Sequence, residues 1–268
     1  MFLGHYDLRV YFSAAGGYVD IGRGSFGVAR HLTFVQNTPV GCLGEVGQFC
    51  DFAEDAQIFA GGEHRNDSPI HANFSGVPAF RFIAAKDGIE DFYARAPRPF
   101  RIGHGCVLSA GTKLLGGASL GDGSLLAAGA VASGSLEAFA IHGGVPARKI
   151  RDRLDPARRQ AVASVRWWDF DTLYMGNNLA RLQALSVDES AEHIYRKPTP
   201  RFAMQMLEPQ NANAEVQLLG FVEPGSDSVR PFRDAPAIRD YIAQLAGPGP
   251  HSWMPNIWDT AGWAPRQP

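Results

Sequence analysis

His64 stands in the run Gly61-Gly62-Glu63-His64-Arg65-Asn66-Asp67. Imidazole titrates near neutrality, so such a residue can carry a proton in either direction at physiological pH. The neighbouring carboxylate of Glu63 can raise the ring's pKa or orient it. Further on, Pro146-Ala147 leads into a basic stretch that holds Arg148, Lys149 and Arg151. Gly22-Arg23-Gly24-Ser25-Phe26-Gly27 matches G-x-G-x-x-G. A dinucleotide site would need a strand before that motif and a helix after it. No helical pattern follows, so these glycines read as turns.

The elements that must position these groups follow a beat of six residues. Large apolar residues recur at Val28, Phe34, Val40, Val46, Phe52 and Ile58, and again at Ile102, Leu108, Leu114, Leu120 and Leu126. The residues four places after each are mostly small, among them Cys50, Ala56, Cys106, Thr112, Ala118, Ser124 and Ala130. A helix has period 3.6 and a plain strand period 2, and neither gives six. A hexapeptide β-helix does. Each hexad supplies a short strand and a turn, and three hexads complete a triangular coil with the large residues inside. Gly follows the inward residue at Gly41, Gly47, Gly103 and Gly121. Those positions ask either for unusual dihedrals or for close backbone approach.

The two runs are out of phase, because the step from Ile58 to Ile102 is not a multiple of six. An excursion of about 64–100, rich in Phe and Tyr, leaves the coils between them. Long loops without their own repeat are commonly functional. Asp155-Pro156 opens a helical pattern through Val165, and further helix follows with Trp167, Trp168 and Phe170 packing on the last coil. Beyond about 196 the chain changes character. Two strands are expected within PTPRFAMQMLEP and AEVQLLGFVEPG, and a helix within APAIRDYIAQLAG. The division is therefore 1–154 coils, 155–195 helices and 196–268 a tail of unassigned role.

Composition narrows the partners. A net charge of −2 gives no electrostatic footprint for nucleic acid. The three cysteines lack the paired spacing of a disulfide framework or zinc site, and Cys50 and Cys106 fall on small inward positions. The stretch 114–147 is interrupted by Gly, Ser and Asp at the hexad period, so no membrane span is read there. MFLGHYDLRV has no basic segment followed by an apolar run, so no signal peptide is expected and the chain is expected in the cytoplasm.

Over roughly 28–195 the sequence resembles the xenobiotic acetyltransferase family, which includes the chloramphenicol and streptogramin acetyltransferases. The pieces that carry the resemblance are VGQFCDFAEDAQIFAGGEHRND, IGHGCVLSAGTKLLGGASLGDGSLLAAGAVAS, AIHGGVPARKIRDR and RWWDF. The hexads specify the superfamily; the His-Arg-x-Asp after the first coils and the Trp-Asp after the last narrow it.

The resemblance implies a left-handed parallel β-helix of hexapeptide repeats, assembled as a homotrimer. It implies an O-acetyltransferase that moves acetyl from acetyl-CoA to a hydroxyl of a small molecule or sugar, without metal. In this family the His of the motif is the general base, which here is His64. It would take the proton of the attacking hydroxyl, a role typically worth about 10²–10⁴-fold. Coenzyme A would lie along the coils between subunits, with Ala128 and Ser133 against the pantetheine and Arg148, Lys149 and Arg151 near the phosphates. Three departures stand out. Glu63 replaces the usual Asn, the Trp that commonly precedes the second run is absent from RPFRIGHG, and HGGVPAR replaces VGGNPAK. Two other classes could use such a prism: a non-catalytic β-helix scaffold, and a β-helical carbonic anhydrase. The second needs three His on one zinc, and His64, His71, His104 and His142 supply no His-x4-His pair.

Overall fold

An inward aliphatic every sixth residue closes a coil when most strands are only two or three residues long. The computed structural model describes residues 7–11, 17–25, 32–34, 41–60, 98–170, 172–185, 201–206, 216–222 and 229–231. Within them the chain is a parallel β-helix. Three parallel sheets form its faces. In chain order the first face holds Gly41–Val46, Phe100–Ile102, Ser119–Leu120 and Ser135–Leu136. The second holds Asp51–Phe52, Val107–Leu108, Leu125–Leu126 and Ala140–Gly143. The third holds Leu32–Phe34, Gln57–Ala60, Lys113–Leu114 and Val131–Ala132.

The interior is what the period predicts. Val46, Ile58, Ile102, Leu108, Leu114, Leu120 and Leu126 are each at most 4% exposed, and so are the small partners Cys50, Ala56, Cys106, Thr112, Ala118, Ser124 and Ala130. Each such aliphatic contributes about 1.5–3 kcal/mol by leaving water, so this column dominates the stability of the prism. Phe52 is half-buried and packs against the same core. Leu108 and Leu126 are rung partners, separated by three hexads, which is one full coil. Val46 and Ile102 are rung partners too, although the whole excursion lies between them in sequence. The second run therefore stacks directly on the first.

The start of the first run departs from the expected register. Leu32, placed by the period among the small partners, pairs with Ile58, and Phe34 pairs with Ala60. The step from Leu32 to Ile58, like that from Ile21 to Val46, is longer than the three hexads of an unbroken coil. Extra residues at a corner lengthen a coil without breaking the ladder above it, so apolar spacing alone misplaces the rung. Val28 and Val40 lie outside the described residues.

The glycines divide between the two roles open to them. Gly47, Gly103 and Gly121 are sites of close approach: a Cβ on Gly47 would lie 2.5 Å from the backbone carbon of Gly103. Gly41 has open space around it and instead takes φ +99°, which side-chain-bearing residues rarely adopt.

The tail builds onto the prism. Gly17–Ile21 pairs with Asp7–Tyr11, which pairs in turn with Arg201–Met206, and Val216–Val222 and Val229–Pro231 follow. The first face thereby becomes a nine-stranded sheet. Both expected tail strands are present; the expected tail helix lies outside the described residues. At the other end α1 (Pro156–Val165) starts where Asp155 caps it, accepting the Arg158 N–H at 2.9 Å, with Pro156 at the first helical position. A 3-10 turn, Trp167–Asp169, and two short helices, α2 (Thr172–Asn177) and α3 (Leu179–Gln183), follow.

Candidate functional site

The predicted cofactor residues fall on two corners of the prism and its closing strand. His64, with Glu63, lies outside the described residues. The strand that precedes it, Gln57–Ala60, is on the third face, and the next described strand, from Phe100, is on the first. Ala128 is exposed at the corner where the chain leaves the second face, and Ser133 is exposed where it leaves the third. The strand Arg148–Asp152 runs antiparallel to Ala140–Gly143, and all five of its residues are exposed.

The three cations on that strand are not equivalent. Lys149 Nζ donates to Glu137 at 2.7 Å and lies 2.8 Å from Asp152. Those bonds, that to Asp152 foremost, hold the ammonium above its ordinary value, and the same contact draws Asp152 down. Arg148 donates to the carbonyl of Ala147 at 3.0 Å and Arg151 to that of Asp152 at 3.1 Å. Neither guanidinium pairs with a carboxylate among the described residues, so both can meet an incoming phosphate.

A second cluster was not found by sequence reasoning. At the corner between the first and second faces, Arg23, Gln48, His104 and Asp122 stack on successive coils. The rungs are fixed by main-chain bonds: Gly105 N–H to Gln48 O at 2.8 Å, then Gly123 N–H to His104 O at 2.7 Å. Side chains join the ladder as well. The Gln48 N–H donates to His104 Nδ1 at 3.0 Å, and the His104 N–H donates to Asp122 Oδ1 at 2.8 Å. Because Nδ1 accepts, a neutral His104 carries its proton on Nε2. Burial lowers its pKa, opposed by the charges of Asp122 and Asp169. Its ring lies parallel to the indole of Trp168 at 5.3 Å. Arg23 Nη2 donates to the carbonyls of Trp168 and Phe170 at 2.8 and 2.7 Å. The column thus clasps the Trp-Trp segment onto the coils. The frame that could have located it is the Gly preceding each member: Gly22, Gly47, Gly103 and Gly121.

The next residue on each coil shapes a cavity of about 800 Å³. Gly24, Gly105 and Gly123 take φ of +74°, +60° and +64°, whereas Phe49 and Phe139 take +55° and +53° at equivalent places. Phe49 leans over Gly24, Trp167 over Gly105 and Phe139 over Gly123. Helices α2 and α3 add Met175 and Leu182 to the lining. On the other side of His104 is a polar hollow of about 240 Å³ that includes Asp7, Asp20, Gln48, Asp122 and Arg201. Burial raises the Asp7 carboxyl above its ordinary value there, against the hydrogen bond it accepts from the Arg23 N–H. Among the described residues no three His, Cys, Asp or Glu side chains converge as a metal set. No helix among them is long and apolar enough to cross a membrane.

The chain is similar to known acetyltransferases. A protein of Lysinibacillus sphaericus named "Probable macrolide acetyltransferase" is 25% identical over 183 residues, which cover 66% of this chain and 93% of that protein. Among solved structures, a maltose O-acetyltransferase from Clostridium difficile 630 overlaps at TM-score 0.33 and 16% identity, over 55% of this chain and 67% of that one. A hexapeptide-repeat acetyltransferase from Vibrio cholerae, solved with acetyl coenzyme A, overlaps at TM-score 0.31 and 15% identity, over 57% and 75%. An N-acyltransferase from Bacillus cereus, in complex with a dTDP-amino sugar and coenzyme A, overlaps at TM-score 0.38 and 14% identity, over 59% and 76%. No family model matches the sequence.

Proposed function

We propose that this chain is an acetyl-CoA-dependent O-acetyltransferase of the xenobiotic type, acting on a hydroxyl of a small molecule or sugar. The observation that carries the reading is the 183-residue similarity to the protein named as a macrolide acetyltransferase. It is supported by a prism whose corners present small exposed residues, Ala128 and Ser133, and whose closing strand presents Arg148 and Arg151 outward. In this reading His64 is the general base. As the acceptor oxygen attacks the thioester carbonyl, the imidazole takes the hydroxyl proton. The C–O bond forms, the C–S bond breaks, and the departing thiolate of coenzyme A recovers the proton. No covalent acyl-enzyme is needed, so no Ser or Cys nucleophile is required beside the His.

Ala128 and Ser133 let the pantetheine approach the backbone. Arg148 and Arg151 meet the phosphates, with Lys149 joining them only by leaving Glu137 or Asp152. The acceptor groove lies between subunits of a homotrimer. Half-buried Phe59 and Leu115 on the outer faces give such an assembly apolar surface to cover. The coils 1–154 form the transferase domain, 155–195 its C-terminal helices, and the protein works in the cytoplasm.

The test is a screen of hydroxylated acceptors, macrolides first, with acetyl-CoA, read by release of free coenzyme A. Mass spectrometry of the product then separates an ester from an amide. An acetyl ester supports the reading. An amide moves the reaction to nitrogen. No binding of acetyl-CoA in calorimetry would leave the coils as a scaffold.

A further inference from the structure

The corner between the first and second faces carries the larger of the two hollows beside His104. Ala128 follows a strand of the second face and Ser133 one of the third, and neither lines this cavity, so the inference does not rest on the acetyl-transfer reading. At about 800 Å³ the space falls within the range that takes a drug-sized molecule. Its walls carry an uncommon feature. Phe49 and Phe139 hold left-handed backbone angles at a corner where other coils place Gly. A bulky residue in that region costs about 1–3 kcal/mol and persists when its surroundings hold it there. Here both strained residues present their rings to the same cavity, beside Trp167.

The polar side chains are few: His104, Gln183 and two arginines. His104 offers a neutral ring with its proton on Nε2. Arg153 and Arg158 line the space from the α1 side. The Arg158 side chain is 74% exposed and its pairing with Asp155 is long, at 3.7 Å, so the guanidinium can turn from that carboxylate to an incoming anion. Aromatic walls with cations at one side complement an apolar ring system that bears one anionic group. We infer that this cavity binds an amphipathic small molecule with an aromatic or alicyclic body and a single negative charge.

The test uses the full chain and the probe 8-anilinonaphthalene-1-sulfonate, with its neutral relative N-phenyl-1-naphthylamine beside it. Gly176 on α2 lines the cavity, and a Cβ there meets nothing within 4 Å. Gly176→Phe should therefore fill the space, and replacing Gly in a helix does not weaken the helix. Wild-type protein should bind one sulfonate probe per chain, saturably, with energy transfer from Trp167. Gly176→Phe and Gly176→Leu should each weaken both probes by about tenfold or more, with an unchanged melting curve. Arg158→Gln should weaken the sulfonate probe and leave the neutral one alone. Non-saturable probe binding, or binding unchanged in both Gly176 variants, overturns the site. Equal loss of both probes in Arg158→Gln overturns the anionic specificity.

Discussion

Leu126 and His142 are rung partners on the second face, and the step between them falls short of the three hexads that join Leu108 to Leu126 below. The shortened last coil puts an imidazole on top of the aliphatic column formed by Leu108 and Leu126. The ring is 1% exposed, and among the described residues neither of its nitrogens has a hydrogen-bond partner. Burial lowers its pKa, with Glu137 opposing and Lys149 assisting. A folded pKa below the unfolded value, about 6.5, means that the unfolded chain takes the proton first. The stability tied to the neutral ring is therefore present above about pH 6.5 and is lost as pH falls through the window beneath. His104 shifts the same way and adds to the effect. His142→Leu continues the column and removes two unpartnered nitrogens. Urea unfolding should show a gain of about 1–2 kcal/mol at pH 8, and a shallower loss between pH 6.5 and 5. A variant no more stable than wild type at either pH would contradict this account of the ring.

Close approach at the corners gives a sharper contrast. In Gly47→Ala the new Cβ would lie 2.5 Å from the carbon of Gly103 and 2.6 Å from its oxygen. Both belong to backbone, so the coils must separate locally. Gly134 has nothing within 4 Å of its Cβ position. Gly47→Ala should cost roughly 3 kcal/mol or more, and Gly134→Ala should stay within about 0.5 kcal/mol. Thermal melts of the two variants side by side check this; equal melting temperatures would contradict the stacking at Gly47.

Beside the strand pairing, a carboxylate ties the tail to the first face. Asp20 accepts from Arg9 Nε at 2.8 Å and from Arg201 Nη1 at 2.7 Å. Arg9 is buried and lies over the Tyr18 ring at 4.0 Å. Asp20→Asn leaves two guanidinium groups facing a neutral amide, with Arg9 the more deeply buried. The expected cost is about 2–4 kcal/mol, and limited proteolysis should cut the tail sooner than in wild type. Cleavage at the wild-type rate would mean that the tail is held by its strand pairing alone.

How much of this was legible follows from what each position needs. The inward residues from Val46 to Leu126 could be read because an interior rung selects directly for side-chain size. The first coils could not be phased, because a corner absorbs extra residues while the ladder from Leu32 to Ile58 and from Ile21 to Val46 still forms. The corner column was hidden for a different reason. Arg23, Gln48, His104 and Asp122 share no chemistry, and only the Gly before each marks the register. Phe49 and Phe139 occupy a conformation that sequence patterns assign to Gly, so their shared cavity had no signal. The tail strands were readable one by one. Their place in the sheet depends on contacts such as Arg201 to Asp20, far apart in sequence, which no local pattern encodes.

The cofactor end of the reaction has its own signature. Arg148→Ala should raise the KM for acetyl-CoA by about tenfold, the loss of one charge-assisted contact. Turnover at saturation should change little. Lys149→Ala should do less, because Glu137 and Asp152 already hold that ammonium. Steady-state kinetics with acetyl-CoA as the varied substrate separates the two. A larger effect from Lys149 than from Arg148 would reverse the assignment.

The most direct test of the central claim is the turnover number of His64→Ala at saturating acetyl-CoA and acceptor. The account predicts a fall of about two to four orders of magnitude, the range for loss of a general base. Acetyl-CoA binding, followed in calorimetry, should survive in the same variant, because the phosphates are held elsewhere. Turnover at the wild-type rate would contradict His64 as the base.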